Sequence, residues 1–272
     1  MSELEKPKRA VVTGGTEGIG RFITEQLLEQ HLIVATCART TGKIDKLHNL
    51  HPEVQVERVD LSDRRTADKF IKSAIDKLGG IDILILNAAH HGVPSKDETI
   101  AQAQERNDLV FRINQVAQVA LTRASLEALR HSKGAVVFLT SGLAKINPPI
   151  LGTEAYALSK QRIQNYLQDL IQKPENSGIF VFSVNPGPVD TGMHEFIINH
   201  APDHLAQMSR AAKEKGVMSD PGTVGRIVSE MATTRMSFNP QTSEYDILIE
   251  NGEVITISRE NIEFESVKHF KK

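Results

Sequence analysis

The sequence predicts an α/β protein, a doubly wound sandwich in which a seven-stranded, mostly parallel sheet carries helices on both faces. Three observations predict it. Seven short runs rich in β-branched residues recur at 10–13, 33–37, 54–59, 81–86, 135–140, 179–184 and 245–249. Most are continuously apolar and not alternating, the pattern of strands covered on both faces. Amphipathic helical patterns fill the gaps, at 19–30, 63–78, 108–131, 155–172 and 223–233. Ser62 marks a start, and Gly79, Gly80, Gly134 and Pro174 mark stops. Such alternation builds parallel sheets through right-handed crossovers.

No linker, repeat or low-complexity block divides the chain. It therefore reads as one domain over 8–250, preceded by a charged leader (1–7) and followed by a tail (251–272) fit to be an edge strand, a dimer arm or a cover for the cleft. The largest irregular stretch follows the sixth strand, and its part over 190–220 is a candidate lid.

Composition removes several function classes. The 272 residues are 40% hydrophobic and 24% charged, enough for a buried core. The lone cysteine, Cys37, allows neither an internal disulfide nor a cysteine-built metal site, and it suits a reducing, cytoplasmic setting. With 32 basic against 34 acidic side chains there is no polyanion-binding surface, so nucleic acid and anionic membranes are disfavoured as partners. No apolar stretch approaches the roughly 20 residues that span a bilayer. His90 and His91 are expected to point apart, His200 and His204 to lack a regular helix between them because of Pro202, and no metal site is expected.

The first strand runs into Thr13, Gly14, Gly15, Thr16, Glu17, Gly18, Ile19 and Gly20, then a helix. Glycines here let the backbone turn tightly and aim helix N-terminal N–H groups at a pyrophosphate. Arg21 and Phe22 stand where a nucleotide-triphosphatase loop needs Lys and Ser or Thr, which disfavours an ATPase. Downstream come Asp60 and Leu61 after the third strand, Asn87 to Ala89 after the fourth, and Asn114 in a long helix. Ser141 follows the fifth strand, Tyr156 and Lys160 share the next helix, and Pro186 to Thr191 follow the sixth strand.

This ordered set resembles the short-chain dehydrogenase/reductase family in its single-domain branch, over roughly residues 8–250. The resemblance implies a Rossmann-type fold and hydride transfer between a nicotinamide cofactor and a carbonyl or alcohol substrate. Tyr156 would be the general acid, its phenolate favoured by Lys160 one helical turn on; Ser141 would hold the carbonyl oxygen, and Asn114 would hold a water in a proton relay. Gly14, Thr16, Gly18, Ile19 and Gly20 would cradle the pyrophosphate, with Asp60 and Leu61 at the adenine and Asn87 beside its ribose. Tyr156 and Lys160 would also contact the cofactor, Lys160 at the nicotinamide ribose, and Pro186, Gly187, Val189 and Thr191 would shape the nicotinamide pocket.

Arg39 ends the second strand where a carboxylate would select NAD, so NADP(H) is the expected cofactor, with NAD(H) possible. Glu17 stands where NADP-preferring relatives often carry a basic residue. The segment 185–193 is similar to the sepiapterin reductase and benzil reductase group, which points to a ketone or dicarbonyl substrate. The alternatives are a 3-oxoacyl thioester reductase and a cofactor sensor without turnover. By the same resemblance a homodimer or tetramer is expected.

Overall fold

The computed structural model describes residues 7–234, 244–250, 253–259 and 262–263. The leader before Pro7 and the tail beyond 263 lie outside them. Among the described residues the sheet has nine strands: β1 (Arg9–Thr13), β2 (Ile33–Ala38), β3 (Gln55–Arg58), β4 (Ile83–Leu86), β5 (Ala135–Leu139), β6 (Phe180–Asn185), β7 (Glu244–Glu250), β8 (Glu253–Arg259) and β9 (Ile262–Glu263). Their spatial order is β3-β2-β1-β4-β5-β6-β7-β8-β9. The first seven are the expected strands and pair in parallel, reversing direction of growth beside β1, which is Rossmann-type topology. The sheet is two strands wider than expected, because β8 and β9 add antiparallel to β7. The register pairs Glu250 with Glu253 across the dipeptide Asn251 and Gly252, the residue pair that favours a two-residue hairpin.

Nine helices are found among the described residues: α1 (Gly18–Glu29), α2 (Thr41–Leu50), α3 (Arg64–Leu78), α4 (Ile100–Phe111), α5 (Gln118–Ser132), α6 (Glu154–Gln172), α7 (Gly192–His200), α8 (Asp203–Glu214) and α9 (Pro221–Thr234). A π-helical segment, Arg112–Ala117, joins α4 to α5. Strand side chains alternate between two cores. Ala10 and Val12 pack with Ile23 and Leu27 of α1 and with Val224, Ile227 and Val228 of α9. Val11 faces the opposite core with Phe70 and Ile71 of α3, Leu121 of α5, and Ile163 and Leu167 of α6. These side chains are fully or almost fully buried, the larger ones each contributing about 1.5–3 kcal/mol relative to exposure.

The helix expected over 108–131 begins earlier, at Ile100. The Thr99 hydroxyl accepts from the Gln102 backbone N–H while the Gln102 side chain accepts from Thr99 N–H, a reciprocal cap. Only Val110 of α4 is buried, and only Leu47 of α2, so neither helix carries the apolar stripe that periodicity detects. The irregular stretch after β6 resolves into α7 and α8, separated at Ala201 and Pro202. A third, small core of Val93, Ala201 and Leu205, with Ile150 and Ile197, joins these helices to the segments after β4 and β5. None of the described helices is long and apolar enough to cross a membrane.

Candidate active site

The carboxyl ends of the parallel strands share one edge, and the predicted residues gather along it. Where β1 ends, Gly14 and Gly18 adopt positive φ (69° and 52°), which L side chains rarely tolerate. Gly20 is held by contact: a Cβ there would lie 2.2 Å from Gly14 O and 2.4 Å from Asn87 Nδ2. Asn87 closes this turn by donating from Nδ2 to the carbonyls of Thr13 (3.0 Å) and Gly14 (3.2 Å). The Thr13 hydroxyl receives the N–H groups of Asn87 and Ala88. Thr16 is buried, and Ile19 packs its side chain on the α1–α9 core. Thr191, the N-cap of α7, approaches from the far side, its Cγ2 3.6 Å from where a Cβ on Gly18 would stand.

Arg39 is exposed at the end of β2, immediately before α2, whose N-cap is Thr40. Sequence reasoning missed Lys43, which donates from Nζ to Glu17 Oε2 and so neutralises the carboxylate of the glycine turn. The signal that could have revealed it is its place in the first turn of α2, within reach of that turn. Asp60 folds back on Ser62, accepting from its N–H (2.9 Å) and its hydroxyl (2.7 Å), while Leu61 packs on the lower core. After β6, Pro186 is buried, Gly187 has φ 66° and Val189 bridges to Ser219.

At the end of β5, Ser141 caps the short turn Gly142–Lys145, its Oγ accepting from Leu143 N–H (3.3 Å) and making a side-chain hydrogen bond with Tyr156. The fifteen residues separating Ser141 from Tyr156 are thus spanned by a tight turn and a loop that returns α6 to the strand end. Lys160, 1% exposed, donates from Nζ to Leu139 O (2.6 Å) and lies 5.6 Å from the centre of the Tyr156 ring.

The phenol does not lie below its ordinary value. Burial pushes Tyr156 up to about 12, the Ser141 hydrogen bond opposing it only in part. Burial also pushes Lys160 down, to about 8, and its ammonium is committed to a backbone carbonyl. At neutral pH this leaves a protonated phenol beside a lysine that is still mostly charged.

Asn114 is fully buried within the π-helical segment. Its Oδ1 accepts from His90 N–H (2.7 Å), and its Nδ2 donates to His90 O (3.0 Å) and Ser159 Oγ (3.1 Å). Ser159 donates in turn to Tyr156 O (2.7 Å). The amide is therefore spent on positioning the segment after β4 against the catalytic helix.

That segment departs from expectation. The His90 and His91 rings do not point apart but stack, with centroids 4.8 Å apart and planes 20° from parallel. Each Nδ1 accepts from the backbone N–H two residues on, Gly92 and Val93, which folds both rings to one side. Cys37 is 1% exposed, and burial pushes its thiol up to about 12, so it is an inert core residue. Among the described residues no cluster of side chains could hold a metal ion.

Comparison with known proteins agrees with this architecture. The chain is 30% identical over 235 residues to a short chain dehydrogenase of Pseudocercospora fijiensis, covering 80% of this chain and 73% of that one. The solved 3-oxoacyl-[acyl-carrier protein] reductase of Brucella melitensis, in complex with NAD, superposes with a TM-score of 0.73 at 25% identity, over 89% of this chain and 96% of that one. A short chain dehydrogenase of Burkholderia cenocepacia, in complex with NADP, gives a TM-score of 0.71 at 24% identity over 90% and 97%. The family model for short chain dehydrogenases matches residues 8–201, and the chain belongs to that family of oxidoreductases.

Proposed function

We propose that this protein reduces an uncharged ketone or dicarbonyl compound with NADPH, and oxidises the corresponding secondary alcohol in reverse. The observation that carries this reading is the grouping of a protonated Tyr156, the Ser141 hydroxyl bonded to it and the buried Lys160, on the sheet edge that also holds the glycine turn. The turn at Gly14, Thr16, Gly18, Ile19 and Gly20 leads into the N-terminus of α1, which no side chain caps, and so fits a dinucleotide pyrophosphate. Asp60, Leu61 and Asn87 would hold its adenosine half, and Lys160, Pro186, Gly187, Val189 and Thr191 its nicotinamide half. When bound, the reduced nicotinamide supplies a hydride.

The remaining chemistry falls to the chain. Tyr156 gives its phenol proton to the carbonyl oxygen as the carbonyl carbon gains hydride, leaving a secondary alcohol. Ser141 Oγ already accepts from Leu143 N–H, so its own proton is available to the same oxygen, where it stabilises the developing charge. The Lys160 ammonium favours the phenolate that Tyr156 becomes. Asn114 is a positioning residue whose amide bonds His90 and Ser159, and its Oδ1 keeps one acceptor position with which it would hold a relay water.

Preference for NADPH rests on exposed Arg39 before the N-terminus of α2, with the Thr40 and Thr41 hydroxyls beside it and Glu17 neutralised by Lys43. The similar structures hold NAD in one case and NADP in the other, and so do not decide it. The Brucella reductase keeps 3-oxoacyl thioester reduction as the second reading. Residues 8–250 act as one catalytic unit with 190–220 as its lid, a reading supported by α7 and α8. A homodimer or tetramer is supported by Val116 and Leu158, 43% and 40% exposed on the long helices. The buried lone thiol suits a cytoplasmic setting.

The test is NADPH and NADH oxidation across ketones, diketones, quinones, pterins and acyl thioesters. The reading requires turnover of an uncharged ketone with higher kcat/KM for NADPH. Turnover confined to thioesters would replace it with the second reading, and none across the panel would leave a cofactor sensor.

A further inference from the structure

The two histidines after β4 do not end their stack with each other. His91 meets Phe196 of α7, with ring centroids 4.5 Å apart, and Phe196 stacks on His200 one turn further along, at 4.6 Å and 18°. Four rings therefore run from the strand end into the candidate lid. The strand-end segment that carries the first two rings is tied to the catalytic helix: a Cβ on Gly92 would lie 3.6 Å from Tyr156 Cβ, and the Asn114 and Ser159 bonds link His90 to the Tyr156 backbone. Further contacts fasten the lid to the same segments. Lys96 pairs with Asp203 (2.8 Å), His204 Nε2 bonds Leu151 O (2.9 Å), and Val93 packs on Ala201 and Leu205.

The two histidine rings are neutral by geometry. An Nδ1 that accepts from a backbone N–H cannot carry a proton there, so the ring proton sits on Nε2, and burial pushes His91 down to about 4. The cations nearest His91 and Phe196 are hydrogen-bonded or ion-paired, while Arg39, whose charge reaches His90, stands exposed. The Arg106 fork is spent on Glu98 and on Gly92 O, Arg210 donates to Ile198 O, and Lys213 pairs with Asp190. Phe196 remains 39% exposed, an aromatic face only partly covered by its two histidine neighbours.

We propose that His90, His91 and Phe196 form the substrate-selecting wall of the pocket, and that the wall takes a flat, conjugated, uncharged ketone against the Phe196 and His91 rings. This deepens the reductase reading and rests on it for the placement of the carbonyl at Tyr156. Ring faces favour another π-surface by offset stacking, and the neutral His91 and Phe196 rings themselves give no counter-charge to a carboxylate or phosphate. Phe196 and His91 are thus specificity-determining residues outside the acid–base machinery.

The experiment compares phenyl methyl ketone with its saturated counterpart, cyclohexyl methyl ketone. KM is measured in the wild type, Phe196→Ala, Phe196→Tyr and His91→Ala, and calorimetric Kd for both ketones in a Tyr156→Phe background. The wild type is expected to favour the phenyl compound about tenfold, Phe196→Ala and His91→Ala to bring the ratio near one, and Phe196→Tyr to retain it. NADPH affinity stays unchanged in all. Equal KM changes for both ketones, or none, would overturn the proposal. If neither ketone is turned over yet the phenyl compound binds in a Phe196-dependent way, the wall stands and the reductase reading fails.

Discussion

At the end of β1 the cleft is shaped by backbone, and at the end of β5 it is shaped by side chains. On the first side, positive φ at Gly14 and Gly18 strains any L side chain, and at Gly20 the Gly14 carbonyl leaves no room for a Cβ. On the second, Ser141, Tyr156 and Lys160 come from a turn and a helix held to the strand end by hydrogen bonds to Leu143 N and Leu139 O. A backbone-built cradle can serve any member of a family that binds the same anion. A side-chain-built wall can change its ligand with a few substitutions, and the two regions should fail differently when perturbed.

The largest separation is expected from Lys160→Met. Turnover should fall at least about 100-fold, the scale of a lost acid–base partner, without loss of stability. The sign follows from the buried ammonium. Its value near 8 in the folded chain lies below the ordinary 10.5, so the unfolded chain binds that proton more tightly. The group therefore destabilises the fold below about pH 8, and that penalty fades as pH rises towards 10.5. At neutral pH the Met variant should melt at or above the wild-type temperature, and a clear drop in Tm would contradict this account of Lys160. In the wild type, kcat/KM for reduction should decline above about pH 8 as the ammonium is lost.

Gly20→Ala should do the reverse. Its Cβ must displace backbone, at a cost of about 1–3 kcal/mol, which lowers Tm by several degrees and weakens cofactor binding about tenfold or more. Ser141→Ala, by comparison, should lower kcat and leave cofactor Kd within a factor of about two; a matching loss of cofactor affinity would mean that the two regions are not separable. A smaller effect is expected at the rim. Arg39→Asp should cut the NADPH to NADH ratio of kcat/KM by roughly tenfold, the value of one charge-assisted contact, and an unmoved ratio would remove Arg39 from cofactor selection.

The same contrast explains what could be read from the chain in advance. A forbidden Cβ leaves glycines at fixed spacing, and a Tyr and Lys four apart share a helix face wherever the helix sits, so both were legible. The parallel strands β1, β2, β4, β5 and β6 were legible too, because burial on two faces leaves continuous apolar runs. The ring ladder was not, since adjacent histidines converge only where a loop turns each Nδ1 onto a backbone N–H two residues on. Nor was the rise of the Tyr156 phenol, which depends on how much protein surrounds it and not on its distance along the helix from Lys160. Helices α2 and α4 escaped because nearly all their side chains face water. The antiparallel pairing of β8 with β7 has in the sequence only the short Asn251-Gly252 signal, weak beside the longer motifs.

The central claim is that Tyr156 supplies the proton while other groups hold the cofactor. It is tested most directly by Tyr156→Phe, with NADPH binding followed by titration of nicotinamide fluorescence and ketone reduction by loss of NADPH absorbance. The account predicts a fall in kcat of about 100-fold to 10,000-fold, with NADPH Kd within about threefold of wild type. Turnover retained at near wild-type rate in the Phe variant would contradict it.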